Sequence, residues 1–211
     1  MRELLEELAR EPRRPGSAGR LRRYSAGEVI AHEGDLADTL HLVRSGRVAV
    51  SMTTRYGNQV TFTVLGPGDV FGELALLSPD ARRTATLTAL AATETVTLNK
   101  PEFDRLRVER PEFGQALTEL LAERVRRLSD QLVEALYVSA DMRVLRRLLT
   151  VARLYGDDEV PLTQDDLAGL AGTARATVNR VLRAEARRGT LELRRRRIRI
   201  VDRDAIEKRA L

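Results

Sequence analysis

The chain of 211 residues carries a net charge of +5 and contains two histidines and no cysteine. It therefore cannot hold disulfides, iron–sulfur clusters or thiolate-ligated haem, and two histidines are too few for a cupin-type metal enzyme, so we expect neither a metal site nor an enzyme. No apolar run reaches the roughly 20 residues that span a bilayer, which predicts a soluble, cytoplasmic protein without a membrane partner.

Positive charge is concentrated in the last third of the chain. Residues 139–211 hold 17 basic and 11 acidic side chains, whereas residues 1–138 hold 19 and 20. A basic segment on a nearly neutral body indicates an anionic partner for that segment.

The first 20 residues are predicted to lie outside the main fold. Residues 1–10 alternate leucine with glutamate, which favours a short amphipathic helix and lacks the apolar core of a secretory signal. Residues 11–20 contain two prolines and two glycines, as linkers do.

Short strands are predicted between residues 21 and 99. Apolar and polar residues alternate in short runs, and turn signals separate the runs. The clearest runs are Thr39–Val43, Val48–Met52, Val60–Leu65 and Thr84–Thr88, and the turn signals include Glu33-Gly34-Asp35, Ser45-Gly46, Tyr56-Gly57-Asn58 and Gly66-Pro67-Gly68-Asp69. This pattern predicts an antiparallel sandwich or roll.

Two helices follow the predicted strands. Asn99 and Pro101 mark the start of a helix that ends near Glu109, and a second helix runs from about Pro111 to about Leu136. In the second helix, apolar residues recur at steps of three and four between charged flanks: Leu117, Leu121, Val125, Leu128, Leu132 and Ala135 or Leu136. This seam predicts a homodimer through residues 117–136; the alternative is an amphipathic helix packed on its own roll.

The last third of the chain has helix-turn-helix spacing. Ser139 predicts the cap of a helix that ends at Gly156, and segments 162–171 and 173–187 predict two helices around a turn at Gly172. The small Ala168 permits these two helices to cross closely. A basic hairpin, Leu191–Val201, and a short terminal helix, Asp202–Ala210, complete the segment.

The outer face of the helix-turn-helix suits double-stranded DNA. Arg175, at the N-terminal end of the second helix, can bind guanine O6 and N7 together. Thr163 and Gln164 suit phosphate contacts, and the four arginines 194–197 suit phosphates at the tip of a β-wing. We expect the following residues at the DNA: Thr163, Gln164, Ala174, Arg175, Thr177, Asn179, Arg180 and Arg196. The alternative is a three-helix bundle with a solvated basic face.

A second group of residues, between positions 72 and 84, suits a ligand that contains a phosphate and a sugar. Gly72 lets the backbone approach a ligand closely, and a helical turn that starts there would aim its amides at an anion. Arg83 can neutralise a phosphate, Thr84 can donate a hydroxyl hydrogen bond, and Glu73 can accept one from a sugar hydroxyl. The alternative is a turn of the roll with a surface arginine.

From about Leu21 to Val201, the chain resembles the cyclic-AMP receptor protein and Fnr superfamily of transcription regulators. The Gly-Glu-Leu-Ala-x(7)-Arg-Thr-Ala spacing of residues 72–85 is similar to the phosphate-binding cassette of cyclic-nucleotide-binding domains. The resemblance implies that Glu73 binds a ribose 2′-hydroxyl, and that Arg83, Thr84 and the amides of Gly72, Glu73, Leu74 and Ala75 bind the cyclic phosphate. It also implies that Arg175 and Arg180 read bases and that the loop 153–161 contacts RNA polymerase.

Two positions depart from the family's pattern. Where cyclic-AMP-responsive members place a base-reading threonine and then a serine that reaches in from the partner chain, this sequence has Leu128 and Ser129. Leucine cannot accept a hydrogen bond from an amine, so three alternatives stay open: cyclic AMP, which we favour, another nucleotide, or no ligand. Ala176 replaces the family's glutamate, so the cytosine contact is lost and the half-site is expected to differ.

The predicted fold is α+β, with an N-terminal antiparallel β-roll (jelly roll), a long dimerisation helix and a C-terminal winged helix-turn-helix. The expected divisions are residues 1–20, 21–110, 111–137 and 138–211. The expected function is a homodimeric transcription regulator that binds pseudo-palindromic DNA under allosteric control by a cyclic nucleotide. A ligand-independent member of the same superfamily is the alternative.

Overall fold

The computed structural model describes residues 19–53, 59–78, 80–194 and 197–211. The predicted N-terminal helix, nearly all of the linker, the turn at Tyr56-Gly57-Asn58 and the wing residue Arg196 lie outside the described residues. The chain forms two compact units. One comprises the described residues up to Thr53 together with 63–127, and the other comprises the described part of 54–62 together with 128–211.

Two four-stranded sheets form the β-roll. The strands are β1 (Arg20–Tyr24), β2 (Val29–Ala31), β3 (Thr39–Ser45), β4 (Val48–Thr53), β5 (Gln59–Leu65), β6 (Val70–Phe71), β7 (Thr86–Ala89) and β8 (Thr93–Asn99). One sheet has the order β1-β8-β3-β6 and the other β2-β7-β4-β5. Strand β8 pairs antiparallel with β1 and β3, and β7 pairs antiparallel with β2 and β4. The predicted antiparallel roll is confirmed.

Strand β3 supplies side chains to two apolar clusters. Leu40 and Leu42 belong to one cluster and Val43 to the other, because successive side chains of a strand point to opposite faces. Strand β7 begins at Thr86, two residues later than predicted. Thr84 instead lies in an exposed bend directly after the buried Arg83.

Three helices accompany the roll: α1 (Glu73–Leu77), α2 (Lys100–Glu109) and α3 (Pro111–Tyr137). Asn99 caps α2 as predicted, because its side chain accepts a hydrogen bond from the amide of Glu102 at 2.9 Å while the Glu102 carboxylate accepts from the amide of Asn99 at 3.1 Å. Phe103 of α2 and Phe113 of α3 are fully buried and meet edge to face, with ring centroids 5.5 Å apart. The two helices thereby close the first apolar cluster.

The second unit is a winged helix-turn-helix, as predicted. Its helices beyond α3 are α4 (Ala140–Tyr155), α5 (Gln164–Ala171), α6 (Arg175–Arg187) and α7 (Arg203–Ala210), and its sheet has the order β10 (Leu191–Arg194), β11 (Arg197–Ile200), β9 (Glu159–Val160). Leu148, Leu167, Val178, Leu182 and Ile206 are fully buried at its centre. Each helix among the described residues is too short or too polar to cross a lipid bilayer.

Glycine and serine set the helix ends of this unit. Ser139 caps α4 by accepting from the amide of Met142 at 3.3 Å, and Gly156 ends that helix with a left-handed φ of 67°. Gly172 has a φ of 57° in the turn between α5 and α6. This turn brings α6 across α5.

Candidate ligand-binding and DNA-binding sites

Gly72 stands at the junction of strand β6 and helix α1, and its environment admits no side chain. Its φ is +89°, and a Cβ atom there would lie 2.2 Å from Nη1 of Arg83 and 2.6 Å from the carbonyl oxygen of Thr39. Glycine is therefore required both by the backbone conformation and by the arginine packed behind it. This close approach brings together Gly72, Glu73 and Arg83, as the sequence predicts.

Glu73 is fully buried and forms an ion pair with Nη1 of Arg124 on α3. Nη2 of Arg124 donates to the carbonyl oxygen of Val70 at 2.5 Å. In the sequence, Arg124 belongs to the charged flanks of the predicted seam, and no role for it was predicted. The overlooked signal is helical spacing, because Arg124 lies seven residues after the buried Leu117 and three after Leu121, which packs on the first apolar cluster.

We call the site formed by Gly72, Glu73 and Arg83 the cradle. Two of its buried polar atoms have no hydrogen-bond partner among the described residues: Oε2 of Glu73 and Nη1 of Arg83. The other terminal nitrogen of Arg83 donates to Oγ1 of Thr39 at 2.9 Å. Burial raises the pKa of Glu73 against the opposing charge of Arg124, and burial lowers the pKa of Arg83 despite nearby Asp38. Burying a polar atom without a hydrogen-bond partner costs free energy. A ligand that offers a hydroxyl to Oε2 of Glu73 and an anionic group to Nη1 of Arg83 would therefore suit this site.

The other predicted cradle residues have different environments. Thr84 is exposed beside Arg83, Leu74 is 45% exposed and Ala75 is buried. Leu128 and Ser129 are both exposed on α3, in the part of that helix that belongs to the second unit.

His41 is a residue of the roll interior, next to the cradle in the sheet. Its ring stacks on Phe71 with centroids 4.5 Å apart, and its Nδ1 lies 3.2 Å from Oγ1 of Thr95. Burial, with a smaller contribution from the positive charge of Arg83, lowers the pKa of His41 to about 3. The imidazole is therefore neutral at physiological pH.

Apart from Arg196, the residues predicted at the DNA lie on α5, on α6 or at the N-terminal caps of these two helices. Arg175 and Arg180 project from α6 with 68% and 61% of their side chains exposed, and the buried inner face is formed by Val178, Val181 and Leu182. Ala174 is the N-terminal cap residue of α6 and is exposed, whereas Thr177 is half-buried.

Three polar residues predicted at the DNA also hold the two helices in place. The Thr163 hydroxyl caps α5, accepting from the amide of Asp166 at 3.1 Å and donating to its carboxylate at 2.6 Å. The side-chain amide of Asn179 donates to Oε1 of Gln164 at 2.9 Å. The bond between Asn179 and Gln164 joins α6 to α5, whereas the two bonds between Thr163 and Asp166 stabilise the start of α5.

Acidic residues pair with the arginines of this surface, and sequence reasoning did not find them. Asp165 lies 3.1 Å from Nη1 of Arg175, and Asp141 of α4 accepts from both terminal nitrogens of Arg180 at 2.8 and 2.5 Å. On the wing, Glu192 pairs with Arg194 at 2.9 Å. The Asp141 pair joins residues 39 positions apart, so local sequence carries no signal for it.

Glu185 anchors the base of α6. It is 2% exposed and accepts hydrogen bonds from Thr190 at 2.7 Å, from Arg188 at 2.7 Å and from Arg209 at 2.5 Å. Burial alone would raise its pKa, but the hydrogen bonds from Thr190 and Arg209 outweigh burial and lower it. The carboxylate therefore ties α6 to the wing and to α7.

Comparison with known proteins agrees with this geometry. Residues 21–110 match the model of the cyclic nucleotide-binding domain, and residues 142–209 match the Crp-like helix-turn-helix domain. The chain belongs to the cyclic-AMP receptor protein and Fnr family of transcription regulators. It is 36% identical over 172 residues to the cyclic AMP receptor protein of Thermus thermophilus, covering 82% of this chain and 79% of that protein.

A second relative and one solved structure are also similar to this chain. A CRP-like cAMP-activated global transcriptional regulator of Mycobacterium tuberculosis is 30% identical over 194 residues, covering 89% of this chain and 86% of that protein. The structure of CLP, a c-di-GMP responsive global regulator of Xanthomonas campestris, has the same fold, with a TM-score of 0.75, 20% identity and coverage of 93% of this chain and 97% of that one.

Proposed function

We propose that this transcription regulator is a cytoplasmic homodimer whose roll binds a cyclic nucleotide, with cyclic AMP favoured, and whose DNA binding the nucleotide controls. The observation that carries the proposal is the cradle, where Gly72 leaves space for Arg83 and two buried polar atoms have no hydrogen-bond partner among the described residues. Glu73 would accept a ribose hydroxyl, and Arg83 would bind the cyclic phosphate. Thr84, exposed beside Arg83, would add a hydroxyl donor.

The ion pair between Glu73 and Arg124 supports control of DNA binding. Arg124 belongs to α3, so a nucleotide bound at Glu73 acts directly on the helix that carries the apolar seam. Allosteric coupling between two sites requires a structural element whose conformation both sites influence. Helix α3 is such an element in this proposal.

The seam of α3 supports a homodimer. Of the predicted seam, Leu117 and Leu121 instead pack on the first apolar cluster of the roll. The remaining leucines and the valine are each more than 60% exposed and follow one another at steps of three, four and four residues: Val125, Leu128, Leu132 and Leu136. A narrow apolar stripe of this kind is self-complementary across a two-fold axis, and a two-fold dimer would present two copies of α6 to a pseudo-palindromic site. We also propose RNA polymerase as a partner through the loop 153–161, on the family resemblance.

Leu128 supports a second candidate for the ligand. Its apolar side chain cannot accept a hydrogen bond from the adenine amine, so a different cyclic nucleotide or a ligand-independent regulator is the alternative. The names of the Thermus and Mycobacterium relatives favour cyclic AMP.

Selection of binding sites from random DNA, with calorimetry on the same protein, tests the proposal. The selected sites should be pseudo-palindromes with half-sites about one helical turn, roughly 34 Å, apart. Cyclic AMP should bind and raise affinity for the selected DNA about 5- to 150-fold, whereas cyclic GMP and cyclic di-GMP should not. Selected DNA that binds equally well without any nucleotide would establish the ligand-independent alternative.

A further inference from the structure

The reading arginine Arg180 is held by a carboxylate from another helix. Asp141 lies in the first turn of α4, and its two oxygens accept from Nη1 and Nη2 of Arg180 at 2.8 and 2.5 Å. Arg175 has a looser partner, because a single contact of 3.1 Å joins it to Asp165. Both pairs are largely exposed. Both terminal nitrogens of Arg180 thus contact a carboxylate, whereas only Nη1 of Arg175 is joined to Asp165.

Guanine would use the same two donors. An arginine that reads guanine donates from its fork to O6 and N7, and a carboxylate offers two acceptors in an equivalent arrangement. One pair of nitrogens cannot serve both partners with good geometry. Reading a guanine with Arg180 therefore requires the pair with Asp141 to open.

We propose that Asp141 is an internal competitor of guanine for Arg180, and that it sets the affinity of helix α6 for DNA. The inference rests on the proposed role of Arg180 in base reading. Exposed ion pairs contribute little, so the competition is weak enough for the correct base to win and strong enough to be measured. Asp165 should compete less, since it holds Arg175 through one contact.

The substitution Asp141→Asn tests this, since it removes the charge and keeps the shape. It should tighten binding to the selected DNA about three- to fivefold, because Arg180 no longer has to break an exposed ion pair to reach the base. Asp141→Glu keeps the competing carboxylate and should bind within about twofold of the parent protein. Thermal melting of each variant establishes that it is folded.

The effect must pass through Arg180. In an Arg180→Ala background, Asp141→Asn should change affinity by less than about twofold, because the competition no longer exists. The matched control is Glu207→Gln, which also removes one acidic partner of an arginine. Glu207 pairs with Arg153, and Arg153 lies 12 residues after Asp141 on α4, about 18 Å away along the helix.

The outcomes separate the inference from the proposed function. Equal tightening in the presence and absence of Arg180, equal tightening by Glu207→Gln, or no tightening at all by folded Asp141→Asn protein would overturn the role of Asp141. Failure of the unsubstituted protein to select any DNA sequence would instead overturn the proposed function.

Discussion

Replacing Arg83 by alanine should abolish most of the affinity for a cyclic nucleotide. Exposed ion pairs contribute at most about 1 kcal/mol, but Arg83 is only 7% exposed, so the larger cost of breaking a buried charge pair applies. Nη2 is already used by Thr39, which leaves Nη1 for the phosphate, and one charge-assisted hydrogen bond contributes about 1.5–3 kcal/mol. With the penalty for leaving the phosphate unpaired, the loss should be about 2–5 kcal/mol, or roughly 30-fold to a few thousandfold in Kd.

Isothermal titration calorimetry with cyclic AMP measures this loss. The affinity of Arg83→Lys should lie between that of the parent protein and that of Arg83→Ala, because lysine keeps the positive charge but lacks the two-pronged guanidinium. Arg82→Ala is the matched control, since Arg82 is exposed and its Nη1 donates to the carbonyl oxygen of Gly34 at 2.7 Å. Its affinity should stay within about twofold of the parent protein. An unchanged affinity in folded Arg83→Ala protein would refute the assignment of the cradle.

Three further predictions concern the dimer, the fold and base reading. The double substitution Val125→Glu with Leu132→Glu should give monomers in analytical ultracentrifugation, because like charges would face each other across the two-fold axis. Glu185→Gln should lower the free energy of unfolding at pH 7 by about 1–3 kcal/mol, since it weakens the bonds from the buried Thr190 hydroxyl and the half-buried Arg209. The pKa of Glu185 is lowered in the folded protein. The difference in free energy of unfolding between the parent and the variant should therefore be largest above the pKa of glutamate in the unfolded chain, about 4.3, and should shrink as the pH falls through the lower pKa of the folded protein. Urea titrations at a series of pH values measure this difference. Arg180→Ala should weaken binding by about 1–3 kcal/mol and relax the preference for one guanine in a repeated site selection.

Each of these predictions has a control within the chain. Val108→Glu alters an 83% exposed valine on α2 and should leave the dimer intact. Glu192→Gln alters a half-exposed ion-pair partner and should cost less than about 1 kcal/mol. Arg187→Ala alters the exposed last turn of α6 and should keep the selected bases. A double variant that still sediments as a dimer, a pH-independent effect of Glu185→Gln, or an unchanged base preference in Arg180→Ala would each contradict the corresponding reasoning.

The order of the elements was readable from the sequence because the signals are local. Glycine positions, alternation with period two and the steps of three and four in α3 each act over a few residues, and so do the caps at Asn99 and Ser139. The same locality explains the error at β7. Thr84 continues the alternating pattern, but the chain bends at Thr84, directly after the buried Arg83, and the strand begins only at Thr86.

The sequence alone predicts which residues would carry the chemistry of the cradle and of helix α6. Glu73, Arg83, Arg175 and Arg180 stand at spacings that are meaningful without coordinates. Their charge partners are visible only in the folded chain. Arg124 meets Glu73 across 51 positions, and Asp141 meets Arg180 across 39. Helical spacing places Arg124 on the same face of α3 as Leu117 and Leu121, but it does not name the carboxylate that Arg124 meets. Ion pairs between distant residues depend on how the elements pack in three dimensions, and local periodicity does not specify that packing.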